Sequence, residues 1–467
     1  MGVKSTGRRR GVLRRVFRTP ARWAVASFAG AILIGAVLLW LPVSSHTREW
    51  TRPIDALFTA TSAICVTGLT VKVTPAYWSL FGQLVILAMI QAGGMGLMTL
   101  GAFLASMLQR RLSMGFERMM GDVVETDPRG NVWTMVKFIC FFTLLAEALG
   151  TVCLFLSWRY NFQSFWQCLY FSVFHCISAF CNAGFSLYED NLVRYQDSTP
   201  VNVVVCALIV IGGLGFLVVR NVKHYLSWWL FVRKGRRPQL TTHSKLVLTV
   251  TATLLVVGFV LLFIMESATS LHGAPLKERI LVAAFQSVTP RTAGFNTIEL
   301  TPALLAPSTI VLLMVLMFVG GSPGSTAGGV KTSTLGVMIA SIAATLRGRE
   351  KAEMFHHSVR QETVHRVASI ILLSVSALVV ATFLLLITEN SIGRSASFIE
   401  VAFEATSAFG TVGLSLGLTP ELSDWGRLII PALMFFGRLG PVTIVMSAAQ
   451  PTERAPYGYP EGHIIVG

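Results

Sequence analysis

Four glycines stand in matching surroundings. "SAICVTGLT" holds Gly68, "SAFCNAGFS" holds Gly184, "TPRTAGFNT" holds Gly294 and "SAFGTVGLS" holds Gly413, at intervals of 116, 110 and 119 residues. The pairs before each glycine differ: Val66-Thr67, Asn182-Ala183, Thr292-Ala293 and Thr411-Val412. A constant glycine among varying side chains points to main-chain chemistry. Carbonyl oxygens can replace the water around a desolvated monovalent cation, provided several of them turn to one axis. Such a turn requires dihedrals that a Cβ resists, which is where glycine belongs. One T-x-G in a helical protein reads as a turn. Four copies in the same local context read as one site assembled from four pieces.

Each copy has the same neighbours. "DALFTATSAI", "CLYFSVFHCISAF", "RILVAAFQSVT" and "EVAFEATSAF" precede the glycines. Each is too short to cross a bilayer and suits a re-entrant half-helix lining a polar cavity. Their C-terminal dipole ends, aimed at the glycines, favour a cation there. Apolar runs of spanning length fall at about 23–44, 78–107, 133–158, 200–219, 245–267, 307–341, 366–388 and 426–449. The grammar is span, half-helix, glycine loop, span. The expected fold is an all-α membrane protein of four such units around one central pore, with eight transmembrane helices and four half-helices. The units are 23–107, 133–220, 245–346 and 366–449. A basic tail (1–22) precedes them and a second tail (450–467) follows.

Composition agrees. The chain is 53% hydrophobic and 13% charged, with a mean hydropathy of +0.64, too apolar to cover a soluble surface. The net charge of +15 is distributed in a way that speaks against nucleic acid. The first tail and the segments near 108–132, 220–245 and 342–366 hold 24 Lys or Arg, against 10 on the opposite side. That bias places these segments and both termini in the cytosol, and the basic loops read as orientation signals and lipid-headgroup contacts. The first apolar run is long and lacks a small-x-small cleavage site, so it reads as a retained span. The seven cysteines show no CxxC spacing and read as apolar packing residues. The histidines show no metal-ligand spacing.

The stretch "MFVGGSPGSTAGGVKTSTLG", Met317 to Gly336, breaks the apolar run of the third unit. A continuous helix is improbable through Gly320, Gly321, Pro323, Gly324, Gly328 and Gly329. At membrane depth its freed backbone groups need water or polar neighbours. It is not a phosphate loop, because Val330 separates Gly329 from Lys331. No histidine can be argued as partner to a nucleophile at Ser322 or Ser325. Weaker breaks occur in "IQAGGMGLM", "VIGGLGFLV" and "FFGRLGPVT", about 25 to 30 positions after their glycines, below the level of the glycine loops. For the first two, close helix packing by small residues is sufficient. Arg438 lies inside the last span, where an arginine is costly. Either it snorkels to nearby carbonyls, or it faces the cavity beside 320–329 and repels cations. Arg291 braces the third loop from behind. Glu147 and Glu404 are buried carboxylates that either touch the ion path or pack against hydrogen-bond partners.

At these residues the chain resembles the potassium-translocating subunit of the Trk/Ktr/HKT superfamily, most of all its bacterial Ktr type. The resemblance covers nearly the whole chain. It implies potassium uptake with no covalent chemistry and no cofactor held by this chain. The selectivity filter would be formed by Val66, Thr67, Gly68, Asn182, Ala183, Gly184, Thr292, Ala293, Gly294, Thr411, Val412 and Gly413. Glycine in all four loops favours potassium over sodium; Asn182 is unusual at its place. The resemblance makes the third-unit break an intramembrane gate, with Gly320, Gly321, Gly324, Ser325, Thr326, Gly328, Gly329, Lys331 and Arg438 as its residues, and favours the cavity-facing reading of Arg438. It also implies a homodimer in the bacterial inner membrane and a separate cytosolic nucleotide-binding ring. That ring would dock on the basic loops, including Arg233, Lys234, Arg236 and Arg237. A sodium- or proton-coupled transporter of alternating-access type is the competing expectation; four parallel units argue against its usual inverted repeats. Nothing in the sequence assembles an enzyme's nucleophile and base.

Overall fold

A computed structural model of the chain describes residues 20–96, 132–232, 238–267, 269–391 and 396–448. The expected tails, the segment 108–131 and Arg233, Lys234, Arg236 and Arg237 lie outside the described residues, apart from 20–22. The chain is mostly helical. Helices α1 (Pro20–Trp40), α4 (Val132–Trp158), α8 (Thr242–Ser267) and α12 (Gln361–Asn390) are 21 to 30 residues long. At a rise of ~1.5 Å per residue each can cross a hydrocarbon layer of ~30 Å. Only 17–33% of their apolar windows is buried, so they form the outside of the bundle and offer Leu, Val and Phe to lipid. The chain is a multi-pass membrane protein.

After each long helix comes a short one: α2 (Pro53–Ile64), α5 (Phe165–Phe180), α9 (Leu276–Val288) and α13 (Phe398–Gly410). They are 12 to 16 residues long and packed in the interior; α13 is buried from Val401 to Gly410. Local sequence starts them. Pro53 occupies the first turn of α2, where its missing N–H costs nothing. Ser397 and Glu400 form a reciprocal capping box on α13, satisfying two N–H groups that a helix start leaves free.

The next helices are α3 (Leu80–Met95), α6 (Thr199–Gly213), α10 (Pro307–Phe318) and α14 (Gly426–Leu439). They determine how the pieces close. Each packs on the short helix of the following piece: α3 on α5, α6 on α9 and α10 on α13, while α14 returns to α2. All four end early. Gly96 (φ 78°) follows α3, Gly215 (φ 84°) follows α6 and Gly440 (φ 82°) follows α14. The chain then bends by 105° into α7 (Phe216–Ser227) and by 96° into α15 (Pro441–Ala448). After α10 an irregular stretch leads to α11 (Thr332–Leu346), and a two-stranded hairpin, β1 (Glu353–Met354) with β2 (His357–Ser358), precedes α12.

The run at 200–219 is therefore not one straight span. Small-residue packing is present, and so is a break. Gly212 approaches the Phe180 carbonyl and Gly93 the Ile64 carbonyl so closely that a Cβ would overlap either. Three residues after each stands a glycine at positive φ, a conformation that costs a residue with Cβ roughly 1–2 kcal/mol.

Candidate functional site

The four glycine loops hang from the C-termini of the short helices. In three, the amide before the glycine donates back to a serine carbonyl six positions before the glycine: Thr67 to Ser62 (2.8 Å), Ala183 to Ser178 (2.7 Å) and Val412 to Ser407 (2.8 Å). In the third loop Val288 stands in the serine's place, and Ala293 donates to Thr289 (3.0 Å). The Ser62 and Ser407 hydroxyls also accept from Gly68 N–H (3.0 Å) and Gly413 N–H (3.1 Å). In the sequence this serine is visible as an "SA" shared by three of the four loops; in the first and fourth its hydroxyl is part of the site.

The backbone repeats itself four times. Val66, Asn182, Thr292 and Thr411 have φ of 56°, 60°, 71° and 51°, and the glycines two residues on have 94°, 69°, 72° and 95°. Three of the four left-handed non-glycine positions are β-branched, where this conformation is strained. Asn182, unusual by type, tolerates it best and follows the same path. With its nitrogen toward the Ala179 (2.9 Å) and Ile209 (3.3 Å) carbonyls, its amide oxygen faces the Thr292 hydroxyl at 3.5 Å.

The loops meet in cyclic order. A Cβ on Gly68 would overlap the Ala183 carbonyl oxygen, and one on Gly184 would come within 3.0 Å of the Ala293 oxygen. On Gly294 it would overlap the Val412 oxygen, and on Gly413 the Thr67 oxygen. Each glycine thus abuts the carbonyl of the residue before the next glycine, and the fourth returns to the first. The Thr67 and Thr411 hydroxyls are buried with no hydrogen bond inside the protein.

Outside the ring lies a vestibule of about 370 Å³, lined by Gly68, Gly184 and Gly413 and by Glu189, Asp190 and Glu299. Asp190 pairs with Arg194 at 2.7 Å, and this bond raises the Arg194 pKa above its ordinary value. The guanidinium also covers the Tyr188 ring. At the first–fourth junction, buried Asp55 holds Arg427 at 2.8 Å and Lys72 at 3.9 Å. Nothing in the sequence flagged the pair Asp55–Arg427, whose partners are 372 residues apart.

Inside the ring lies the stretch from Val319 to Lys331. It folds back on itself, with Gly320 N–H donating to Val330 (2.9 Å) and Thr332 N–H to Gly321 (3.0 Å). Its other bonds go to neighbours. Ser322 N–H donates to Gly213 (3.0 Å), and Phe216 N–H donates to Gly324 (3.1 Å). The Ser322 hydroxyl reaches the Leu214 carbonyl, and Ser325 donates to Ser322 O (2.7 Å). The stretch touches the second, third and fourth loop assemblies. Thr326 Oγ1 donates to Phe180 O (3.3 Å) below the second. A Cβ on Gly328 would strike Thr411, and one on Gly320 would sit 3.2 Å from the Thr292 methyl. Arg438 donates to Thr326 O and, at 2.5 Å, to Gly93 O, linking the stretch to α3. Lys331 donates to Ala327 O (2.7 Å). Gly329 is left-handed (φ 64°), as is Gly324 (φ 65°).

The remaining charges are bonded to neighbouring groups. Buried Arg291 donates to Gly320 O (3.3 Å) and to the backbone and hydroxyl of Thr251 (both 3.5 Å). Glu147 accepts from Gln91 (3.2 Å) behind the second loop. Glu404 accepts from Ser415 (2.9 Å) and from Thr419, which line the vestibule. All seven cysteines are free. Among the described residues no cluster of His, Cys, Asp or Glu is placed to hold a metal ion.

A family model described as "TrkH: Cation transport protein" matches residues 14–455. The Potassium/sodium uptake protein NtpJ of Enterococcus hirae is 38% identical, over 96% of this chain and 97% of the relative. The Ktr system potassium uptake protein B of Vibrio alginolyticus is 39% identical, over 96% and 94%; its namesake of Bacillus subtilis is 37% identical, over 98% of both. Among solved structures, the potassium transporter TrkH of Vibrio parahaemolyticus has the same fold, with a TM-score of 0.67 over 91% of this chain and 84% of that one at 19% identity. A match this long places the chain in the TrkH family of cation transport proteins, which are membrane transporters and not enzymes.

Proposed function

We propose that the chain carries potassium across the bacterial cell membrane along one axis enclosed by four units, each a span, a half-helix, a glycine loop and a second span. One observation carries this reading. Each of Gly68, Gly184, Gly294 and Gly413 abuts the preceding-residue carbonyl of the next loop in a closed cycle, so main-chain oxygens of Thr67, Ala183, Ala293 and Val412 gather around the axis. Carbonyls so gathered replace the water of a monovalent cation. The unbonded hydroxyls of Thr67 and Thr411 are further oxygens for the ion or its water. The dipoles of four half-helix C-termini supply negative potential. Two of the relatives are named for potassium uptake and one for both potassium and sodium, which makes sodium passage or coupling the second reading.

The stretch 320–329 is the gate in this proposal. It lies across the axis below the ring, and Arg438 fastens it. A guanidinium there raises the barrier for a cation in the cavity. Lys331 and Arg291 hold the ends of the stretch. Opening is assigned to a cytosolic nucleotide-binding partner docked on the basic loops, and two copies of the chain pair in the membrane. Both termini are cytosolic, as the charge bias requires.

The test is growth rescue of a bacterium lacking potassium uptake at low external potassium, followed by potassium and sodium fluxes into liposomes. Rescue, and flux that favours potassium, are expected. A purified, folded protein that passes neither ion in the presence of candidate partners ends the proposal.

A further inference from the structure

The half-helices carry a different residue at the same place. Nine positions before the loop glycine stand Thr59, His175, Phe285 and Glu404. All four are buried. Only two reach out of their helix. His175 Nδ1 faces the Phe171 carbonyl at 2.8 Å, which can only accept, so Nδ1 carries the proton. Nε2 is then an acceptor, 3.0 Å from Ser186 Oγ and 3.2 Å from Leu187 N–H. Glu404 accepts from Ser415 Oγ at 2.9 Å and from Thr419. Ser186 and Ser415 occupy one place too, two residues after their glycines. Each hydroxyl also accepts from the amide two residues on, Tyr188 N–H at 3.0 Å and Gly417 N–H at 3.1 Å. An imidazole and a carboxylate thus make the same brace.

The other two quarters lack it. Thr59 donates to the Asp55 carbonyl of its own helix (2.9 Å), and Phe285 has no side-chain polar atom. The residue matching Ser186 in the third quarter, Asn296, turns its amide to Ile298 O (2.9 Å). Glycine contacts run in the order 68, 184, 294, 413, so the braced quarters stand opposite one another. The residues they hold line the vestibule.

We infer that His175 and Glu404 are positioning residues that fix the outer lip of the ion path in two opposite quarters and thereby set its preference between potassium and sodium. The inference rests on the proposed conduction of potassium through the glycine ring. The serine is two residues from the glycine, so anchoring its hydroxyl restrains the glycine carbonyl. A smaller ion is favoured only if the oxygens can close around it. Two opposed rigid quarters prevent that closure, while the two unbraced quarters stay compliant enough for ions to enter and leave.

The experiment measures potassium and sodium flux separately, in liposomes at matched folded protein. Its variants are Ser186→Ala, Ser415→Ala, Glu404→Gln and His175→Phe, the last borrowing the third quarter's own residue type. Thr59→Val and Phe285→Leu alter the same helix position where no brace exists. Potassium-dependent thermal stabilisation in detergent, compared with sodium, reads ion preference without transport. Ser186→Ala and Ser415→Ala are expected to lower the potassium-to-sodium ratio about tenfold, what one buried hydrogen bond is worth. Ser415→Ala combined with Glu404→Gln should do no more than the serine change alone, because the hydroxyl that Glu404 braces is already gone. Thr59→Val and Phe285→Leu should keep the parental ratio.

Three results overturn the inference. An unchanged ratio in both serine variants ends it. A shift in Thr59→Val as large as in Ser186→Ala reduces the position to packing. Equal loss of both fluxes in Glu404→Gln, with Ser415→Ala silent, makes Glu404 a charge and not a brace. Potassium flux in the parent protein reports on the proposed function alone, so the two readings fail separately.

Discussion

Two stretches of irregular backbone, the glycine ring and the segment 319–331, are held in opposite ways. Each ring loop is tied to its own half-helix, through bonds to residues four or five positions back such as Thr67 to Ser62 and Val412 to Ser407. Its strain at Val66, Thr292 and Thr411 persists because four loops interlock. The segment 319–331 has a few bonds of its own and borrows the rest from Gly212, Gly213, Leu214, Phe216, Phe180, Arg291 and Arg438. A loop held by its own helix moves only if the helix moves. One held by bonds to several neighbours is released when those neighbours shift. On the proposed reading, the same freedom of glycine serves a fixed cage in one place and a releasable obstruction in the other.

The largest expected effects test the fixed side. Gly68→Ala, Gly294→Ala and Gly413→Ala each push a Cβ into the next loop's carbonyl oxygen, whereas Gly184→Ala meets its nearest atoms at 2.9 and 3.0 Å. Overpacking costs about 1–3 kcal/mol. The potassium-to-sodium flux ratio should therefore fall about a hundredfold in the first three and about tenfold in Gly184→Ala. A parental ratio in all four variants would falsify the ring as the site of ion choice.

Next comes the fastening of the obstruction. Arg438→Ala removes the donor shared by Thr326 O and Gly93 O. Charged hydrogen bonds contribute about 1.5–3 kcal/mol each, so flux without a partner should rise at least about tenfold while the ion ratio stays parental. Shortening the segment within 320–329 should act in the same direction. If folded variants conduct no faster than the parent, the segment is not a gate.

The two sides were unequally legible in the sequence. The ring could be aligned because glycine recurs after short amphiphilic segments at near-equal intervals. Its cyclic order could not, because Gly68 meets Ala183 and Gly413 meets Thr67 only across the assembled fold. Positive φ at Val66, Thr292 and Thr411 was hidden by residue types that avoid it. The break of the third unit was visible as six glycines around Pro323. Those after Gly212 and Gly437 were less so, because a glycine that packs and a glycine that turns look alike in an apolar run. Here both occur, three residues apart. Arg438 stood out because charge is rare in a span, but its two carbonyl partners belong to segments over a hundred residues away. Thr59, His175, Phe285 and Glu404 share no residue type, so nothing marked them as one position.

The smallest expected effect is the most discriminating, because it changes one hydroxyl on each side. Ser407 Oγ accepts the Gly413 N–H at 3.1 Å. The third loop has Val288 in that place and still joins the ring. Ser407→Ala should therefore cost only about 1 kcal/mol of stability, read as a lower unfolding temperature, with flux in the absence of a partner unchanged. Ser322→Ala removes the bond from the obstructing segment to Leu214 O, at the bend between α6 and α7. A similar loss, about 1 kcal/mol, here weakens the closed arrangement, so flux without a partner should rise by about threefold to fivefold. Two serine-to-alanine changes of equal chemistry would then separate, one in stability and the other in flux. If both move flux in the same direction by the same factor, the contrast between a self-held ring and a neighbour-held obstruction does not describe this protein.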